Sequence, residues 1–240
     1  MADALNAVVT GASSGIGKAI AIAIASVGGS LCLVGRDKQR LESAANSARM
    51  TARSAVVFPA DLGTDHGIEG LVQYIKHDFN SIDTLVHCAG IHAIGSLENT
   101  SVNQLDAMYR TNVRAPYVLT QALLPLLKSR KSQIVFINSS QGLNAQANTA
   151  AYAATKHALR AIADSLRQEI NAHGTRVLSI YPGRTATPTI EAKYKAEGQL
   201  YRPELLLQPE DIAQTVLSTL QLPRTAEVTN VEIRPLIKSY

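Results

Sequence analysis

VVTGASSGIG, Val8–Gly17, decides the fold. An apolar run breaks into a turn with glycines at Gly11, Gly15 and Gly17, and the chain continues as KAIAIAIASVGG, Lys18–Gly29. The continuation alternates Ile and Ala with a period of two, which alone reads as a strand. Alanine is the strongest helix former, however, and Ile16, Ile20, Ala23, Ile24 and Val27 fall on one helical face. The stretch is therefore predicted helical, with Gly28 and Gly29 as its C-terminal stop. Strand, glycine turn and helix in that order leave the N–H groups of a helix start facing a closely approachable backbone, which suits a pyrophosphate.

Outward from this unit, short runs rich in Val and Ile recur: LNAVVT, SLCLVG, AVVFPA, DTLVHCA, QIVFIN, RVLSIY and AEVTNVEIR. Stretches of helical length separate them. Seven strands and about six helices in alternation predict an α/β doubly wound fold, a seven-stranded parallel sheet with helices on both faces. The 240 residues are 46% hydrophobic, enough to bury about three quarters of the unfolded surface in one core. No Pro/Gly/Ser-rich linker, charge block or low-complexity tract interrupts the alternation, so residues 1–240 are read as one domain.

The net charge of +4 is dispersed among acids, without the basic stripe of a nucleic-acid binder. The N-terminus, MADALNAVVTGA, lacks a basic leader, and no apolar run is long enough to cross a bilayer, so the expectation is a cytoplasmic protein with no membrane partner. Cys32 and Cys88 sit in apolar runs and read as buried thiols. The six histidines show no metal-ligand spacing, and no metal is expected.

SSQGLNAQANTAAYAATK, Ser139–Lys156, carries the chemistry. Tyr152 and Lys156 stand at i and i+4 of a helix predicted to begin near Thr149, on one face. Bringing a phenol from its usual pKa of about 10 to about 7 is worth about 4 kcal/mol, and a fixed positive charge shifts it in that direction. Either residue alone would equally decorate a solvated helix.

Together, T-G-A-S-S-G-I-G at Thr10–Gly17 and Y-x-x-x-K at Tyr152–Lys156 resemble the short-chain dehydrogenase/reductase family, over nearly the whole chain. The resemblance implies a single-domain Rossmann fold holding a nicotinamide dinucleotide at the C-terminal edge of the sheet. It implies catalytic roles for Asn112, Ser139, Tyr152 and Lys156, with Ser139 chosen over Ser140 by register, and with the Asn112 amide holding a water on a proton route to the lysine. Cofactor contacts follow at Gly11, Ser13, Ser14, Gly15, Ile16 and Gly17, at Asp61 and Leu62 beside the adenine, and at Ala89 and Gly90. Tyr152, Lys156, Pro182, Gly183 and Thr187 complete the set around the nicotinamide and its ribose.

Where NAD-preferring relatives carry an acid after the second strand, this chain has Gly35 followed by Arg36, whose planar fork suits a 2′-phosphate. NADP is expected, with NAD possible, and Asp37 is assigned to capping the next helix, KQRLESAANSAR. His87 and Cys88 depart from the family's asparagines, which leaves the hydrogen bonding of those asparagines open. Residues from about 184 to 206 are expected to form a substrate lid, and His92, Gln141, Leu143, Asn144 and Gln146 to lie near the reacting centre. The implied partners are a small carbonyl or secondary alcohol substrate and a second copy, as homodimer or homotetramer. The alternative is a non-catalytic NADP(H) sensor that kept the glycine turn.

Overall fold

The computed structural model describes residues 5–79, 81–93 and 95–237; the reading of the first four residues lies outside this set. In the N-terminal half, β1 (Asn6–Thr10), α1 (Gly15–Ser26), β2 (Ser30–Gly35), α2 (Lys38–Arg49), β3 (Ser54–Pro59), α3 (Asp65–Tyr74) and β4 (Thr84–His87) alternate strictly. Then come α4 (Val102–Tyr109), α5 (Ala115–Ser129), β5 (Gln133–Ile137), α6 (Ala150–Ile170) and β6 (Arg176–Pro182). The chain closes with α7 (Pro188–Ala196), α8 (Pro209–Leu220) and β7 (Asn230–Ile233). The predicted seven strands are present, while the described residues hold eight α-helices rather than about six. The extra ones are short and bury little: α4 hides only Met108, and α7 hides none of its described side chains.

All strands are parallel, in the order β3-β2-β1-β4-β5-β6-β7. The order reverses between β1 and β4, so the C-terminal ends of these two strands open a crevice where doubly wound sheets hold ligands. Successive strand residues feed opposite cores. Ala7, Val9, Leu31 and Leu33 pack with α1, α2 and α8, while Val8, Cys32, Val34 and Leu85 pack with α3, α5 and α6. The alternating Ile/Ala stretch is α1, with Ile20 and Ile24 wholly buried, and Gly28 beyond it takes φ +78°. Asp37 caps α2 as expected, accepting from the Arg40 N–H at 3.0 Å. No helix among the described residues is long and apolar enough to cross a membrane.

Candidate active site

The glycine turn forms because no other residue fits it. Gly11 and Gly15 hold φ of +67° and +53°. A Cβ on Gly11 would lie 2.8 Å from the Ala89 nitrogen, and one on Gly17 would strike the Gly11 carbonyl oxygen. Thr10 fastens the turn to β4: its hydroxyl donates to the Val86 carbonyl at 3.1 Å and accepts from the N–H groups of Cys88 and Ala89 at 3.0 and 3.1 Å. Ser14 precedes α1 in extended geometry without capping it, and no acid sits in the helix's first turn. The α1 N-terminus thus keeps its orphan donors and positive dipole end for an anion.

From this turn an open cleft of about 1720 Å³ runs along the C-terminal edge of the sheet. It is larger than a drug-sized pocket and suits a dinucleotide with a second molecule. Every residue expected to touch a cofactor lines it: Gly11, Ser13 to Gly17, Arg36, Asp61, Leu62, Ala89, Gly90, Tyr152, Lys156, Pro182, Gly183 and Thr187. Arg36 is exposed on this wall. Arg40, which sequence reading passed over, lines the cleft one helical turn further on and pairs with Asp37 at 3.3 Å. Its only sequence signal was its spacing from Arg36.

At the end of β4, His87 and Cys88 take structural roles of their own. The His87 ring stacks on Phe136 at 4.9 Å, and its Nε2 lies 2.8 Å from the Thr120 hydroxyl on α5. Burial pushes this imidazole down to about 3, so it is neutral. Cys88 lies one residue beyond the strand rather than within it; burial raises its thiol to about 12, against the pull of Lys156.

Asn112 is buried but does not line the cleft. It sits not within a continuous helix but in a widened turn, residues 110–114, where the Ala115 N–H reaches back to the Arg110 carbonyl. Pro116 accounts for the break, because it has no N–H to return to the Asn112 carbonyl four residues earlier. The side-chain amide clamps the loop after β4, accepting from the Ile91 N–H at 2.8 Å and donating to the Ile91 carbonyl at 2.9 Å. Its other hydrogen goes to the Thr155 hydroxyl at 3.1 Å. Both amide donors are therefore committed, one to the loop after β4 and one to α6. Thr155, one residue before Lys156, is a partner that spacing alone did not reveal.

Ser139, Tyr152 and Lys156 do come together. Ser139 follows β5 in extended geometry, accepts from the Gln141 N–H at 3.2 Å and sets its hydroxyl beside the Tyr152 phenol. Lys156, buried one turn along α6, places Nζ 5.7 Å from the centre of the Tyr152 ring and donates to the Ile137 carbonyl at 3.1 Å. Asn138 ties strand to helix by donating to the Lys156 carbonyl at 3.1 Å. The electrostatics differ from expectation. Burial pushes the phenol up to about 12, with the Ser139 hydroxyl opposing the rise and Cys88 adding to it. Burial also brings Lys156 down to about 8, against Cys88. A desolvated ammonium directed at a carbonyl is poorly placed to offset the desolvation of its neighbour.

Around this centre, His92 stands edge-on to Tyr152, ring centres 4.2 Å apart, and Gln141, Asn144 and Gln146 line the cleft, whereas Leu143 does not. The expected lid region contributes α7 and its flanks to the cleft wall. Its base is fixed where Ala186 N–H donates to the Leu207 carbonyl at 2.7 Å and Leu207 N–H to the Arg184 carbonyl at 3.0 Å. Thr187 caps α7 and lies over the glycine turn, since a Cβ on Gly15 would approach its methyl group to 3.1 Å.

Known proteins share this frame. The short chain dehydrogenase family model matches residues 5–198. An uncharacterized oxidoreductase of Staphylococcus epidermidis is 36% identical over 231 residues, 96% of each chain. Among solved structures, an alcohol dehydrogenase from the archaeon Thermococcus sibiricus complexed with 5-hydroxy-NADP superposes with a TM-score of 0.89, 26% identity and 99% of each chain covered. A serine dehydrogenase in its closed form, complexed with NADP+, does so at 0.87 and 25% identity, over 98% of this chain and 97% of the other. The chain belongs to the short chain dehydrogenase family and is an oxidoreductase of that family by descent.

Proposed function

We propose that the protein transfers hydride between NADP(H) and a small carbonyl compound or the matching secondary alcohol. One observation carries this reading: the Ser139 hydroxyl lies beside the Tyr152 phenol, with Lys156 one turn away, in the same cleft as the glycine turn. The NADP named with two of the similar solved structures supports it further.

The residues present fit the cofactor. Space denied to a Cβ at Gly11 and Gly17, with the open α1 N-terminus and Ser13 to Gly17, suits the pyrophosphate. Arg36, aided by Ser13 and Arg40, would hold the 2′-phosphate, and Asp61 and Leu62 would flank the adenine. Ala89, Gly90, Pro182, Gly183 and Thr187 would line the remainder. Bound NADPH supplies the hydride.

Ser139 would hold the substrate's carbonyl oxygen toward Tyr152, which donates the proton as charge develops on that oxygen. A phenol pushed up to about 12 is fully protonated at neutral pH, the form needed for reduction. In oxidation it would be the phenolate form of the same oxygen that takes the alcohol's proton, a form that burial confines to high pH. Lys156 holds the ribose and Tyr152 in register, and Asn112 acts as a positioning residue through Ile91 and Thr155.

Tyr152→Phe tests the reading against a non-catalytic sensor. It is expected to lose at least about 100-fold in turnover while NADPH still raises the melting temperature. A variant that keeps its turnover would overturn the proposed role. NADPH is also expected to stabilise more than NADH at equal concentration; equal stabilisation would remove the argument from Arg36.

A further inference from the structure

Resting on the hydride-transfer reading, we propose that the substrate is an oxo acid, or in reverse the corresponding hydroxy acid, whose carboxylate is held by Lys193 of α7 and by the Gln141 side-chain amide. Both line the cleft, and the Lys193 charge reaches His92, whose ring centre stands 4.2 Å from that of Tyr152. Lys193 is mostly covered, its side chain 25% exposed, and its ion pair with Glu197 one turn along the same helix is long, at 3.9 Å. It therefore presents a cation over the cleft with its charge only loosely matched.

Gln141 is oriented by its neighbours. Its Oε1 accepts from the Gln146 N–H at 3.2 Å and from the hydroxyl of buried Thr149 at 2.9 Å. The carbonyl end is thus engaged, and Nε2, without a partner among the described residues, is the end left to donate into the cleft. His92 stands edge-on to the phenol, 4.2 Å between ring centres. Burial, then the ammoniums of Lys193 and Lys156, push His92 down to about 4, so both cations face a neutral imidazole.

A carboxylate accepts from an ammonium and an amide N–H together, and such charge-assisted bonds discriminate more strongly than neutral ones. Lys193 and Gln141 thus offer donors suited to an acceptor carrying negative charge.

The experiment measures NADPH oxidation with matched pairs, acetoacetate against methyl acetoacetate and pyruvate against methyl pyruvate, together with neutral ketones and aldehydes. The wild-type protein is expected to favour at least one acid over its ester by about 10-fold or more in kcat/KM. Lys193→Gln is expected to lower that acid's kcat/KM by about 10- to 100-fold, chiefly through KM, and the ester's by less than about threefold. Lys193→Arg should keep the preference, and unchanged melting temperatures exclude a general folding defect. Esters or neutral carbonyls turned over as well as the acids, or acid and ester losing equally in Lys193→Gln, would overturn the proposal while leaving hydride transfer standing. Binding of NADPH with no oxidation by any carbonyl of the panel would overturn both.

Discussion

At the scale of single residues, burial governs the titratable groups near the sheet edge, and its sign can be followed to a measurable stability. His87 and His92 are pushed from about 6.5 down to about 3 and about 4, burial being the leading cause for each. Between those values and 6.5 the unfolded chain binds a proton that the folded chain refuses. Stability present above pH 6.5 is accordingly lost as pH falls toward 4. At pH 4.5 the loss is about 2 to 3 kcal/mol for His87, the more completely buried of the two. His87→Asn is expected to remove about half of the acid sensitivity, read as the difference in urea unfolding free energy between pH 7 and pH 4.5. An unchanged difference would mean that His87 is protonated inside the fold, which its position between Phe136 and Thr120 does not allow. The Tyr152 and Lys156 pair shows the same force at work, with the phenol pushed up to about 12 and the lysine brought down to about 8.

At the scale of elements, what was legible follows from how much each element buries. The strands and α1, α2 and α6 read correctly because their apolar faces repeat with the period of the structure, and Asp37 marked the start of α2. Helices α4 and α7 bury almost nothing, leaving no stripe to detect. The widened turn at Asn112 was masked because the helical period of TNVRAPYVLT continues across Pro116, and the bridge between Thr185 and Leu207 is a pairing that local sequence does not encode. Three residues of the site could be read from short motifs, but the electrostatic state of Tyr152 depended on burial from several elements. The glycine turn is where element and function meet most tightly. Gly17→Ala would drive a methyl group into the Gly11 carbonyl and push α1 away from the turn. It is expected to cost about 1 to 3 kcal/mol and to abolish most of the NADPH-induced rise in melting temperature. A variant that binds NADPH normally would show that the turn relaxes without loss of its cradle.

At the scale of the whole molecule, the question is whether the elements unfold together. The sheet separates two cores, one under α1, α2 and α8 and the other under α3, α5 and α6, yet every central strand contributes side chains to both. Helix α8 packs against α1, so a late segment of the chain closes over the first strand–turn–helix unit. Neither core can lose its strands without exposing the other, and we infer that residues 5–237 behave as one cooperative domain even though chains of this length often populate intermediates. Ile24→Ala on one face and Leu123→Ala on the other, both wholly buried, are each expected to cost about 2 to 5 kcal/mol. Each should shift one common transition to lower urea concentration. Far-UV circular dichroism and the emission of the eight tyrosines, undisturbed by tryptophan, provide two independent signals. Coincident curves in both variants are the expected result, with NADPH moving the entire transition because the turn it would occupy is built from both halves of the sheet. Separated curves, or a substitution that moves one signal and leaves the other in place, would divide the chain into two folding units and detach α7 and α8 from the stability of the glycine turn.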